Sequence, residues 1–160
     1  MTKFFQTSQE YLRGLFLGIQ EAVKSIYFTA YVISYNEKAP PLGISQIIDE
    51  ICIARQRGVK VYGVVNTNIN LPNVQEQTQN AIIKLNQYRC EIKPFPKSRI
   101  LHAKLFVIDN CKIFIGSQNL SEAKEYGQIE ASIMLEDSVL AGQIISFINL
   151  LGTIKDDETI

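Results

Sequence analysis

The chain of 160 residues has a single histidine, no tryptophan, three cysteines and no excess charge of either sign, with 16 Lys and Arg against 16 Asp and Glu. One imidazole excludes, within one chain, the zinc centres that take two or three histidines. Balanced charge, with a pI near 6.6, excludes a protein that coats nucleic acid or anionic membrane by bulk electrostatics, which needs a large positive excess. Any site for a polyanion is therefore local. Cys52, Cys90 and Cys111 are odd in number and form no C-x-x-C pair, which fits neither a disulfide framework nor a zinc ribbon. A reducing, cytoplasmic setting is expected. Near the start the longest apolar run, from Gly14 to Ile19, falls far short of the roughly 20 residues that span a bilayer. Glu10, Arg13 and Glu21 also break the order of a signal peptide. No stable membrane association is expected.

What the chain does have is apolar content, 46% by residue, at a length that buries roughly 68–70% of the unfolded surface in one core without a disulfide or metal. One domain over 1–154 with a charged tail over 155–160 is predicted. Leu12, Leu15, Phe16, Ile19, Ala22 and Val23 recur at helical spacing, predicting a helix from Ser8 as N-cap to Lys24. Ile26–Ser34 is β-branched and aromatic and predicts a strand, followed by the Pro/Gly-rich loop YNEKAPPLG. A second helix is predicted from Ser45 and stops at Gly58, a natural C′ residue. A strand over Val59–Val65, a loop NTNINLPN, a helix over 74–88 and a short strand CEIKPF ended by prolines follow. Leu101–Ile108, the Asp109-Asn110 turn and KIFIGS predict a hairpin over 101–117. A strand over Gln128–Glu136 and a closing helix over Ser138–Leu151, with Ile144, Ile145, Ile148 and Leu151 on one side, complete the pattern. The fold class expected is α/β, a mixed β-sheet flanked by helices on both faces.

Chemistry concentrates between Leu101 and Asn119. In a strand alternate residues share a face, so His102 and Lys104 project together from an otherwise apolar segment. A buried ammonium is costly without a negative partner, and that pairing suits a group that binds or attacks an anion. The hairpin returns Gly116, Ser117 and Asn119 toward the same end of the sheet. Gly permits close backbone approach, and Ser and Asn supply neutral donors for phosphate oxygens. Taken singly, each residue also has an ordinary role. His102 can be a satisfied histidine, Lys104 can lay its stem along apolar surface, Asp109-Asn110 can be only a turn, and Asn119 or Ser121 can cap a short helix beginning at Glu122.

The combination H-x-K-x4-D-x6-G-S-x-N, as His102, Lys104, Asp109, Gly116, Ser117 and Asn119, resembles the signature of the phospholipase D superfamily. Six fixed identities arise by chance at roughly one in sixty million start positions, given residue frequencies near about 5%. The element order resembles one half of that family's two-lobed fold, an α-β-α sandwich. The resemblance implies phosphodiester chemistry through a covalent phosphohistidine, with two His-Lys pairs facing each other and no metal or other cofactor. One His attacks phosphorus while the other protonates the leaving oxygen and then activates water, tasks that suit an imidazole titrating near neutrality. Lys104 and Asn119 would stabilise charge on the nonbridging oxygens. One histidine per chain then demands a homodimer with the active site at an isologous interface. Single-signature members carry an acidic residue near Glu130, bonded to the His ring; its ordinary reading is a surface carboxylate on a strand. Asp109 in the family is structural, holding the turn.

Small single-signature members resemble the bacterial endonuclease branch. Residues 89–112 hold Arg89, Lys93, Lys97, Arg99, Lys104 and Lys112 against only Glu91 and Asp109. Such a basic rim, with Lys93, Lys97 and Arg99 as substrate contacts, suits a phosphate backbone; a solvated basic loop has the same composition. Tyr35, Asn66, Asn68, Asn70 and Asn73 lie in or beside loops near the expected cleft. The leading expectation is a metal-independent nuclease acting on DNA or RNA. The alternatives are a lipid phosphodiesterase or phosphatidyl transferase, and a noncatalytic nucleic-acid-binding module.

Overall fold

The computed structural model describes residues 1–38, 43–121 and 129–156. The first element is β1 (Thr2–Phe5), a strand of which only Phe5 is buried. Helix α1 (Ser8–Glu21) follows, capped by Thr7 rather than Ser8: the Thr7 hydroxyl accepts the Glu10 N–H at 3.2 Å, and the Glu10 carboxylate accepts the Gln6 N–H. This reciprocal pair satisfies two N–H groups that a helix start leaves open. The helix ends at Glu21 instead of Lys24 because Val23, Lys24 and Ser25 give their N–H groups to the Asp109 carboxylate.

Strand β2 (Ser25–Ala30) is buried throughout and shorter than the predicted Ile26–Ser34. Beyond it only Ile33 makes a bridge, to Leu120. Helix α2 (Ile44–Gln56) begins one residue before Ser45, whose hydroxyl accepts the Asn36 N–H, and it ends before Gly58, which adopts φ 97° as a C′ glycine does. Strand β3 (Lys60–Asn66), helix α3 (Pro72–Gln87, with Pro72 in the first turn) and strand β4 (Glu91–Phe95) follow. The hairpin is β5 (Leu105–Ile108) and β6 (Lys112–Gly116), joined through Asp109 and Asn110 at φ 54° and 58°. That is the left-handed pair a type I′ turn requires. Strand β7 (Ser132–Glu136) and helix α4 (Ser138–Leu151), capped by Asp137, close the fold.

The seven strands form one mixed sheet in the order β1-β7-β6-β5-β2-β3-β4, with β2, β3 and β4 parallel and the rest antiparallel. Alternation splits each strand between two cores. Ile26, Phe28, Val61, Phe106, Ile108 and Phe114 pack against α1, α2 and α3, while Tyr27, Val64, Val107 and Ile113 pack against α4. The α/β expectation, a mixed sheet between helical layers, is the fold observed.

The tail is not free where it leaves α4. Ser98 donates both its N–H and its hydroxyl to Asp156. Residues 157–160 lie outside the described residues, as do 39–42 of the predicted loop, the helix expected from Glu122 and the predicted strand start at Gln128. Among the described residues, no helix is long and apolar enough to cross a membrane.

Candidate active site

Strands β2, β3 and β4 end at Ala30, Asn66 and Phe95. The registers Thr29↔Leu105, Leu105↔Ile115 and Gly116↔Ser132 bring the start of β5, the end of β6 and the start of β7 to that same end. In open α/β sheets the carboxyl ends of parallel strands are where loops leave room for a ligand. His102, Lys104, Ser117, Asn119 and Glu130 all lie at this end.

The segment Leu101–Lys104 was expected as strand, but the ladder begins only at Leu105. Side chains hold the segment instead. The Asn66 Oδ1 accepts the Leu101 N–H at 3.2 Å, the Thr29 hydroxyl donates to the Ala103 carbonyl at 3.0 Å, and Leu101 sits in the core facing α4. His102 is exposed and Lys104 is buried. The two side chains nevertheless meet, since Lys104 Nζ donates to the His102 carbonyl at 2.9 Å and lies 3.4 Å from each ring nitrogen. Equal distances place the ammonium beside the ring as a whole rather than along one nitrogen lone pair. Tyr31, just past β2, completes the cluster: its ring centroid is 4.6 Å from that of His102, and Lys104 Nζ sits 5.2 Å from the Tyr31 ring. An aromatic face offsets part of the desolvation of a buried cation. Sequence reasoning placed Tyr31 in a strand and gave it no role.

On the other arm of the hairpin, the Ser117 hydroxyl donates to the Glu130 carboxylate and accepts the Ala131 N–H at 3.1 Å. The bond from Glu130 to the His102 ring that the resemblance implies is not among the hydrogen bonds of the described residues. Among the described residues, the ring's partners are Lys104 and Tyr31. Gly116 is explained by packing: a Cβ there would stand 1.9 Å from the Ser132 hydroxyl and 2.8 Å from the Ala131 carbonyl, so the missing side chain lets β7 lie against β6. Asn119 follows in the loop that pins Leu120 between Val32 and Ser34, and its buried Oδ1 has no hydrogen-bond partner among the described residues.

Asp109 stands at the far end of β5, roughly 17 Å of extended chain from Lys104 at about 3.4 Å per residue. Its carboxylate accepts N–H groups of Val23, Lys24 and Ser25 at 2.7–3.1 Å. Burial alone pushes this carboxyl up, but the N–H groups of Lys24, Ser25 and Val23 outweigh it and hold it below the usual range. It ties the end of α1 to the hairpin, as the structural reading expected, and takes no place beside His102.

The basic rim contracts in the same way. Lys97, exposed, and Arg99, half-buried, sit in the turn between β4 and His102. Lys93 lies within edge strand β4, its charge matched by Glu91 at 3.2 Å. Arg89, before β4, and Lys112, paired with Glu21, belong to the opposite end of the sheet. Of the loop residues, Asn66 is buried and positions Leu101. Tyr35 and Asn73 line a separate cavity of about 650 Å³ beside α3. Among the described residues, no three His, Cys, Asp or Glu side chains gather as a cation site.

The family described as cardiolipin synthase, PLD-like domain, matches residues 15–151. The chain belongs to that family. The match spans every expected site residue and leaves out β1 and the first half of α1. Solved structures share the PLD-like fold. Nuc, a phospholipase D family member from Salmonella typhimurium, is 19% identical over 94% of this chain and 93% of its own, with a TM-score of 0.76. NucT from Helicobacter pylori is 20% identical over 94% of both chains, with a TM-score of 0.73. The phosphatidylserine synthase of Haemophilus influenzae is 20% identical over 92% of this chain and 36% of its own, with a TM-score of 0.72. No curated protein matches the chain. At these identities the structural likeness speaks for the fold, and the PLD-like domain's substrate has to be argued from the site.

Proposed function

We propose that this PLD-like domain is a cytoplasmic, metal-independent nuclease, hydrolysing phosphodiester bonds of DNA or RNA in a homodimer. The observation that carries the reading is the exposed His102 imidazole with the Lys104 ammonium 3.4 Å from its ring at the carboxyl end of the parallel strands. An imidazole nitrogen of His102 attacks phosphorus, and the ester oxygen leaves with a proton from the partner subunit's His102. Water, deprotonated by that second imidazole, then breaks the phosphorus–nitrogen bond and restores both rings. Lys104 supplies fixed positive charge to the nonbridging oxygens from a buried position, where it is worth more than in water. Asn119 joins it as donor, Ser117 ties the end of β6 to Glu130 and Ala131 ahead of β7, and Lys97 and Arg99 flank the approach of a phosphate backbone.

A second copy of the chain is the proposed source of the second histidine. Helix α4 contains no charged residue and leaves Val139, Phe147 and Leu150 exposed, a surface that meets its own copy without like-charge repulsion. A lipid phosphodiesterase is the second reading. It is favoured by the cardiolipin synthase-type family match and by an apolar cavity of about 750 Å³ lined by Leu12, Phe16, Leu17 and Ile47.

One assay separates the readings: labelled single- and double-stranded DNA, RNA and phospholipid vesicles, each with excess chelator, for the wild type and His102→Ala. Chelator-resistant cleavage of nucleic acid, lowered at least about 10³-fold by His102→Ala, is expected. Cleavage that disappears with chelator overturns the metal-independent mechanism. Turnover of vesicles alone moves the assignment to lipid, and binding without cleavage makes the domain a noncatalytic module.

A further inference from the structure

Cys52 and Cys90 play no part in the proposed reaction, yet the fold brings them together. Cys52 lies on α2 and Cys90 immediately before β4, 2% and 4% exposed in the same core, and both are free thiols. Arg55, three residues along α2 and so on the same helical face as Cys52, donates its Nε–H to the Arg89 carbonyl at 3.0 Å. The next N–H, that of Cys90, is fixed on the Leu85 carbonyl at 3.1 Å. Helix α2 and the turn between α3 and β4 are thus clamped with one thiol on each side, near enough for each to shift the other's titration.

We propose that Cys52 and Cys90 are an oxidisable dithiol site, which a hydroperoxide converts to an intramolecular disulfide stapling α2 to the α3–β4 turn and which a dithiol reductant restores. The Cys90 sulfur attacks a peroxide oxygen. The O–O bond breaks, a sulfenic acid forms, and the departing hydroxide takes the thiol proton as water. The Cys52 sulfur then attacks the sulfenic sulfur, the S–O bond breaks, and its hydroxide leaves with the Cys52 proton as a second water. Two electrons pass from the sulfur pair to the peroxide. The local chemistry fits this order of events. The neighbouring Cys52 draws the Cys90 thiol down, against burial and with help from the Arg55 charge, whereas Cys52 is pushed up by Cys90 and by burial. Cys90 is therefore the thiolate former, and Cys52 the resolving thiol.

The full chain provides its own control, because Cys111 is a third free thiol, half-exposed at the β5–β6 turn. Trypsin, cutting after Arg55, Arg89 and Lys104, puts the three cysteines on separate peptides. Folded protein is treated with hydrogen peroxide, alkylated under denaturing conditions and mapped without reduction. A Cys52–Cys90 linked peptide is expected, two hydrogens lighter than the sum of its parts and lost on reduction. The thermal midpoint should rise by about 5–10 °C in the oxidised form, as closure of the loop between the two positions implies. Cys90→Ser should abolish both effects and Cys111→Ser neither. A treated sample in which Cys111 is oxidised while Cys52 and Cys90 alkylate separately overturns the proposal. The wild-type peptide map decides this even if a variant fails to fold.

Discussion

Asp109 shows how one side chain of the signature can be indispensable and still stand away from the chemistry. Its carboxylate gathers the N–H groups of three successive residues, while its own φ of 54° makes the first half of the turn. Asp109→Asn keeps a residue that tolerates the left-handed region but removes the charge and turns one of two accepting oxygens into an NH2 donor, so the variant should lose about 2 kcal/mol of stability at neutral pH. The carboxyl titrates lower in the folded chain than in the unfolded one. The stability it contributes is therefore complete above the unfolded value of about 3.9 and is lost as pH falls through the folded value. Urea titrations of both proteins should show a constant gap down to about pH 4 that closes below it; a gap unchanged in acid would show that the charge is not what stabilises. At this scale the sequence was informative about residue types: an imidazole, an ammonium and an amide at fixed spacing. It was silent on Tyr31 and on the bond between Ser117 and Glu130, because ring contacts and carboxylate partners are set between segments far apart in the chain.

Between residue and fold, the β6–β7 contact decides what the glycine of the signature is for. Gly116 faces Ser132, and a Cβ would meet the Ser132 Cβ at 2.4 Å as well as its hydroxyl. Overpacking of this kind costs about 1–3 kcal/mol. Gly116→Ala should thus lower the thermal midpoint, and adding Ser132→Gly should recover much of the loss. A stable Gly116→Ala protein with a raised KM would instead return this glycine to substrate binding. Most elements were legible because amphipathic periods and Gly or Pro punctuation are local signals. Strand β1 was not: its four residues expose three, and it exists because β7 offers a free edge from Ser132 to Leu135. The predicted strand ends at Ser34 and Leu101 overshot for the same reason. Ile33 bridges Leu120 and Leu101 packs in the core facing α4, so these apolar residues are buried outside the ladder.

The whole molecule presents half of the proposed catalytic apparatus, one His102 and one Lys104, with α4 as the uncharged face that a second copy would cover. That arrangement makes activity depend on pairs of chains. If each dimer holds one composite site, then co-refolding wild type with an equal amount of His102→Ala leaves about one quarter of the dimers with two histidines, and activity should fall to about one quarter. Independent sites on separate chains would leave about one half. Phe147→Lys tests the surface apart from the chemistry, since it puts like charges against each other across an α4–α4 contact. Light scattering should show a smaller particle at a given concentration, and activity should fall in step with the dimer fraction. Folding, read by thermal unfolding at low concentration, should be little changed, because Phe147 lies on the outer face of α4. A Phe147→Lys protein that stays dimeric and active would place the interface elsewhere on the molecule, and a wild type that is monomeric and fully active would leave the second histidine without a source.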